Sequence, residues 1–208
     1  MLEGLPDTDV RRVIASARRR RFARGEVLFH EGDPATTLHL VATGRIAVRV
    51  TTPRGEVATV DLVLAGDVVG ELALLSPGGR RRASAIAMEP TATLSIDETT
   101  FSALRRDDPV ISEFLVQLLA ARVHRLTDRL LEALYLPADT RLLRRVLELS
   151  EVYGSVLPLT QEDLAGLAGT TRATVNRALR REEKLGTIEL GRGRVSVVDR
   201  AGLGQRSR

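Results

Sequence analysis

The sequence has no cysteine. That excludes disulfides, thiolate nucleophiles, cysteine-ligated zinc and any iron–sulfur cluster held by this chain. Long hydrophobic runs are missing too: no stretch reaches the roughly 18 apolar residues that would suggest a transmembrane helix. The opening MLEGLPDTDV has neither a basic n-region nor an apolar h-region, so no secretory signal is expected and a cytoplasmic location is. Histidine is scarce. His30, His39 and His124 stand far apart, with no Ser/His/Asp or metal-ligand spacing among them, so neither an enzyme nor a metal site is expected.

What is present is an ordinary globular balance over 208 residues, 43% hydrophobic and 28% charged, enough for one large domain or two smaller ones. The net charge of +4 is unevenly placed. Residues 1–137 hold 18 Arg against 18 Asp and Glu, whereas residues 138–208 hold 13 basic residues against 9 acids. A basic excess confined to one segment is an electrostatic footprint for a polyanion.

The texture of the chain changes twice. Residues 8–20 suggest a short basic helix. From residue 26 to about residue 98 come short alternating runs (VLFH, LHLVATG, RIAVRV, VATVDLVL, ASAIAM, ATLSI) with Gly- and Pro-rich connections, which predict a β-barrel or double-sheet roll. After Asp97 the period becomes helical. Asp107-Asp108-Pro109 marks a helix start, and no glycine follows until after Leu136. Along this stretch Val116, Leu119, Val123, Leu126, Leu130 and Ala133 step by 3, 4, 3, 4 and 3, a heptad seam that predicts a parallel dimer. A helix lying on its own domain's core is the alternative. Leu136-Pro137-Ala138-Asp139 breaks the helix and is the expected hinge. A helix over Thr140–Val152 follows, and two short strands, TIEL and RVSVV, close the chain as a wing. The fold class is therefore α+β: an N-terminal roll over residues 1–107, a dimerisation helix over 108–136, and a winged helix-turn-helix over 137–208.

Two stretches carry chemistry. In LTQEDLAGLAGTTRATVNRALRREEKLG, Thr160 with Asp163 forms a capping-box pattern, Ala165 is small where two helices would cross, and Gly169 supplies the turn. Leu164, Ala168 and Val175 fall on the face to be buried. The second helix then presents Thr171, Arg172, Thr174, Asn176, Arg177 and Arg180 to a major groove. Arg172 and Arg177 suit bidentate pairing with guanine, while Thr160, Thr170 and Arg181 suit phosphates. Arg192, at the wing tip, suits either the DNA backbone or solvent.

In GELALLSPGGRRRASAIA, Gly70 opens a short apolar helix over Glu71–Leu75, including Leu72, whose free N–H groups suit an anion. Arg80, Arg81 and Arg82 return on the next loop with Ala83 and Ser84, so that guanidinium, amide and hydroxyl can surround a phosphate. A solvated basic loop is the plainer alternative.

Roll, long helix and winged helix-turn-helix, in this order and over nearly the whole chain, resemble the CRP/FNR family of bacterial transcription regulators. GELALL with its following arginines looks like that family's cyclic-nucleotide cassette, and LTQEDLAGLAGTTRATVNRAL looks like its helix-turn-helix. The resemblance implies a homodimer on a palindromic double-stranded operator, with RNA polymerase as a partner if the protein activates, and no membrane. It implies cyclic AMP or another cyclic nucleotide as effector: Gly70 and Glu71 hold phosphate and ribose, Arg81 (or Arg80 or Arg82) pairs the phosphate, and Ser84 or the Ala83 amide completes the cradle. Two positions depart from the pattern. Leu126 stands where cyclic-AMP-binding members carry a threonine that contacts adenine, with Thr127 one residue later, and Ala173 stands where many members carry glutamate. The first departure leaves a second expectation open, a regulator competent for DNA without any effector.

Overall fold

The computed structural model describes residues 15–55, 57–76 and 78–207. The chain divides into two compact units, Met1–His124 and Arg125–Arg208.

The first unit is a roll of two four-stranded sheets. One sheet has the order β1 (Arg18–Phe22), β8 (Thr91–Asp97), β3 (Thr37–Thr43), β6 (Val68–Val69). The other has the order β2 (Val27–Phe29), β7 (Ser84–Ala87), β4 (Ile46–Thr51), β5 (Val57–Val63). Sheet pairing is antiparallel throughout, and β3 shifts register between Val41 and Thr43. A shift of this kind bends the strand and helps an open sheet curl. Between the sheets Val41, Ile46, Val63, Val69 and Ala85 form one apolar cluster. Alternation along the strands puts these side chains on a common inner face.

The basic helix expected over residues 8–20 is corrected in part. Residues 8–14 lie outside the described region, and Arg18–Phe22 is a strand paired with β8. Its four arginines are exposed and only Phe22 turns inward. Such an edge strand carries no period-2 apolar signal, and edge charges of this sort discourage pairing with a second chain.

Two short elements complete the roll: α1 (Glu71–Leu75) between β6 and β7, and α2 (Glu98–Asp107) after β8. The Asp97 side chain caps α2 by accepting from the Thr100 N–H at 2.8 Å.

Helix α3 (Pro109–Tyr135) is 27 residues long and crosses from the first unit into the second. Its first turns bury Ile111, Leu115 and Leu118 against Leu38, Leu40, Val68, Ile96 and Phe101. This part of the helix does lie on its own domain's core. The heptad positions face elsewhere: Val116, Val123, Leu126 and Leu130 are each 50–61% exposed, and Leu119 is half-buried.

In the second unit, α4 (Ala138–Tyr153) begins directly after Pro137 and buries Leu142, Leu143, Val146 and Leu149. Then come β9 (Val156–Leu157), α5 (Gln161–Ala168), α6 (Arg172–Lys184), β10 (Ile188–Gly191), β11 (Arg194–Val197) and α7 (Arg200–Arg206). The wing is a three-stranded sheet in the order β10-β11-β9, so β9 joins the two strands expected from sequence. No helix among the described residues is long and apolar enough to cross a membrane.

Candidate functional site

The first site gathers around Gly70. This residue precedes α1 with φ of 92°, left-handed backbone that favours glycine. A Cβ here would sit 2.6 Å from Nη1 of Arg81, so the close approach also requires glycine. Of the three consecutive arginines only Arg81 turns inward and is buried. Its Nη1 donates to the Gly70 carbonyl at 2.7 Å, its Nη2 donates to the Thr37 carbonyl, and its guanidinium lies 4.1 Å from the centre of the Phe29 ring. Arg80 instead donates to the Gly32 carbonyl at 2.8 Å, and Arg82 is exposed. Ser84 is the first residue of β7 rather than part of the loop, and its hydroxyl accepts from the Glu31 N–H at 2.9 Å. Leu72 is exposed on α1, and Ala83 is half-buried beside Ser84.

Glu71 is fully buried. Its Oε1 accepts from Nη1 of Arg122 on α3, whose Nη2 reaches the Val68 carbonyl and whose Nε lies 3.5 Å from Asp61. Burial pushes the Glu71 carboxyl above the usual range, against the pull of Arg122. Three buried polar atoms at this site, Glu71 Oε2, Arg81 Nε and Arg122 Nε, have no hydrogen-bond partner among the described residues, although the last lies within ion-pair reach of Asp61. Buried polar atoms are almost always partnered, so the unmet Arg81 donor and Glu71 acceptor beside Gly70 could serve a ligand carrying an anion and hydroxyls. Neither Arg122 nor Asp61 was found by sequence reasoning. They meet Glu71 across 51 and 10 positions of chain, and no local spacing announces such a meeting. Thr127 is exposed on α3 and belongs to the second unit.

The second site is α5, its turn and α6. The capping box is present: the Thr160 hydroxyl accepts from the Asp163 N–H, and Asp163 accepts from the Thr160 N–H at 2.9 Å. Gly169 ends α5 with φ of 59° and ψ of 51°, the left-handed residue the turn needs. Leu164, Ala165, Ala168 and Val175 are buried, as the pattern required. Helix α6 buries Val175, Ala178, Leu179 and Glu182, a spacing that leaves Arg172, Asn176, Arg177 and Arg180 on the opposite, exposed face.

Thr171 sits one residue before α6 and caps it, accepting from the Thr174 N–H at 3.2 Å. Thr170 is half-buried in the turn, with its N–H on the Ala165 carbonyl at 3.0 Å. Arg180 pairs with Glu183 at 2.8 Å and Arg181 with Asp139 at 3.1 Å, exposed pairs that a phosphate can displace at little cost. Arg192 is exposed in the turn joining β10 and β11.

Two further groups lock this unit, and sequence reasoning missed both. Arg141 donates to three carbonyls: Leu136 at 2.9 Å, Ala168 at 3.1 Å and Gly169 at 3.0 Å. One guanidinium thus closes the ends of α3 and α5, where helix dipoles leave partial negative charge. Buried Glu182 accepts from Arg206 of α7 at 2.7 Å and from the Thr187 hydroxyl at 2.8 Å. Burial opposes its ionisation, but those hydrogen bonds outweigh it and hold the carboxyl below its usual range.

Comparison with known proteins identifies two domains. Residues 19–108 match the family model described as cyclic nucleotide-binding domain, and residues 140–206 match the Crp-like helix-turn-helix domain. The chain is 34% identical over 203 residues to the cyclic AMP receptor protein of Thermus thermophilus, covering 97% of this chain and 93% of that one. It is 30% identical to the CRP-like cAMP-activated global transcriptional regulator of Mycobacterium tuberculosis, covering 90% and 87%. Among solved structures, the c-di-GMP responsive global regulator CLP of Xanthomonas campestris shares the fold at a TM-score of 0.82 and 21% identity, covering 92% of this chain and 99% of that one. A roll with a nucleotide cassette, followed by a winged helix-turn-helix, is the organisation of a DNA-binding regulator and not of an enzyme. The chain belongs to the CRP/FNR family of transcriptional regulators.

Proposed function

We propose that the protein is a homodimer that binds a palindromic operator and whose affinity for DNA is set by a cyclic nucleotide held at Gly70, Glu71, Arg81, Ala83 and Ser84. The observation that carries the effector half is the set of buried, unpartnered atoms around Gly70, Arg81 Nε and Glu71 Oε2 among them. Cyclic AMP is the first candidate, because two relatives at 30–34% identity are named for it. The exposed Val116, Val123, Leu126 and Leu130 support the dimer, since a water-facing heptad seam gains most by covering itself with a second copy.

On this reading residues 1–107 sense, 108–136 pair and 137–208 bind DNA, with the Leu136–Asp139 break as hinge. Arg172 and Arg177 read bases, with Thr171, Thr174, Asn176 and Arg180 beside them. Thr160, Thr170, Arg181 and Arg192 set register on phosphates. RNA polymerase is the partner if the output is activation, and the cytoplasm is the place of action.

A second reading, a dimer competent without effector, is favoured by one feature. Leu126 is an apolar residue on the exposed seam and strengthens pairing by itself. Calorimetric titration with cyclic AMP, with cyclic GMP in parallel, separates the two. Saturable binding that vanishes in Arg81→Ala supports nucleotide control. Flat titrations from a protein that still binds selected DNA as a dimer support the second reading.

A further inference from the structure

His39 lies on β3 between Leu38 and Leu40 and is only 4% exposed. It is held on every side. Its Nδ1 is 3.1 Å from the Thr93 hydroxyl and its Nε2 is 3.4 Å from the Thr37 hydroxyl. Phe22 meets its ring edge-on at 6.0 Å, and Phe29 lies on the other side at 6.3 Å. The Thr37 hydroxyl is in turn 3.4 Å from Nη2 of Arg81, and Phe29 is the ring on which the Arg81 guanidinium rests. His39 therefore touches two of the groups that lie against Arg81, the Thr37 hydroxyl and the Phe29 ring, without a hydrogen bond to Arg81 of its own.

Proton direction along this row follows from chemistry. A guanidinium only donates. The Thr37 hydroxyl can only accept from Arg81, which leaves its own proton free to go to Nε2 of His39. An Nε2 that accepts fixes the ring as the Nδ1–H tautomer, which donates to Thr93. That arrangement takes a neutral ring, because a charged one donates from both nitrogens. The environment enforces neutrality: burial, then Arg81, then Arg20 of β1 hold the His39 pKa down to about 4. Among the described residues these two arginines are the charged groups acting on it.

We propose that His39 is a positioning residue for the effector cradle: as the neutral Nδ1–H tautomer it orients the Thr37 hydroxyl and the Phe29 ring so that Arg81 keeps its Nη atoms on the Gly70 and Thr37 carbonyls and its guanidinium seated in the cradle. The proposal rests on the effector reading for its ligand half, and on the free protein alone for the tautomer.

Both halves are tested on the full chain. Long-range proton–nitrogen spectra of the free protein at pH 7 should show His39 with an unprotonated Nε2, and Thr37→Val should convert this to a mixture of tautomers. An Nε2–H ring, or a ring indifferent to Thr37→Val, overturns the network. In titrations with cyclic AMP, His39→Phe should bind about tenfold more weakly than wild type, and His39→Gln, whose amide can accept from Thr37 and donate to Thr93, should recover most of that loss. Equal losses in the two variants, with equal melting temperatures, overturn the positioning role. Wild type that binds neither cyclic AMP nor cyclic GMP removes the effector reading and the ligand half with it, while the tautomer in the free protein still decides whether His39 orders Thr37.

Discussion

Acid should destabilise the first unit through His39. His39 titrates at about 4 in the folded protein against an ordinary 6.5, chiefly because burial strips water from the charged form. The unfolded chain takes up the proton first as pH falls, so the stabilisation is fully present above pH 6.5 and is lost progressively toward pH 4. A difference of about 2.5 pH units, at about 1.36 kcal/mol each, amounts to about 3 kcal/mol. That is a large share of the roughly 5–15 kcal/mol by which a domain is stable. Urea unfolding of the full chain, followed by far-ultraviolet circular dichroism between pH 7 and 4.5, should show wild type losing stability more steeply than His39→Phe. Glu71, whose carboxyl is raised, works in the opposite sense, since acid relieves its buried charge, but it is common to both proteins and cancels in the comparison. Parallel curves for wild type and His39→Phe would refute the reasoning.

Three other outcomes are expected. Gly70→Ala forces a Cβ to 2.6 Å from Arg81 and a left-handed backbone on alanine, so nucleotide binding measured by calorimetry should fall at least tenfold, with about 1–3 kcal/mol of stability lost. Arg172→Ala should weaken specific DNA binding by about 1–3 kcal/mol while sparing random DNA, whereas Arg192→Ala should weaken both alike and lower the salt slope by about 1; anisotropy titrations at several salt concentrations tell them apart. Leu126→Asp places a charge at the centre of the exposed seam, and sedimentation should find monomer where wild type sediments as a dimer.

What the sequence disclosed was what neighbouring residues decide among themselves. Thr160, Asp163 and Gly169 fix the start and end of α5 within ten positions, and each took the expected conformation. The roll was legible from its turns and alternating runs. Arg18–Phe22 was not, because pairing with β8 rather than any local preference makes it a strand. Arg122 reads as one of many charges flanking a heptad seam until the roll brings Glu71 and Asp61 to it. Arg141 likewise acquires its meaning from three carbonyls that only the folded turn assembles. Ion pairs and guanidinium clamps of long sequence separation depend on geometry that no periodicity encodes.

The seating of Arg81 bears on the speed and thermodynamics of recognition. Its guanidinium already rests on the Gly70 and Thr37 carbonyls and on the Phe29 ring, so the side chain is immobilised when the protein folds and not when a ligand arrives. The entropy of fixing such a side chain, roughly 0.5–1.5 kcal/mol, is then absent from the binding step. On the proposed reading a phosphate would meet a preorganised receptor, and association at this end of the ligand should be nearly rigid-body.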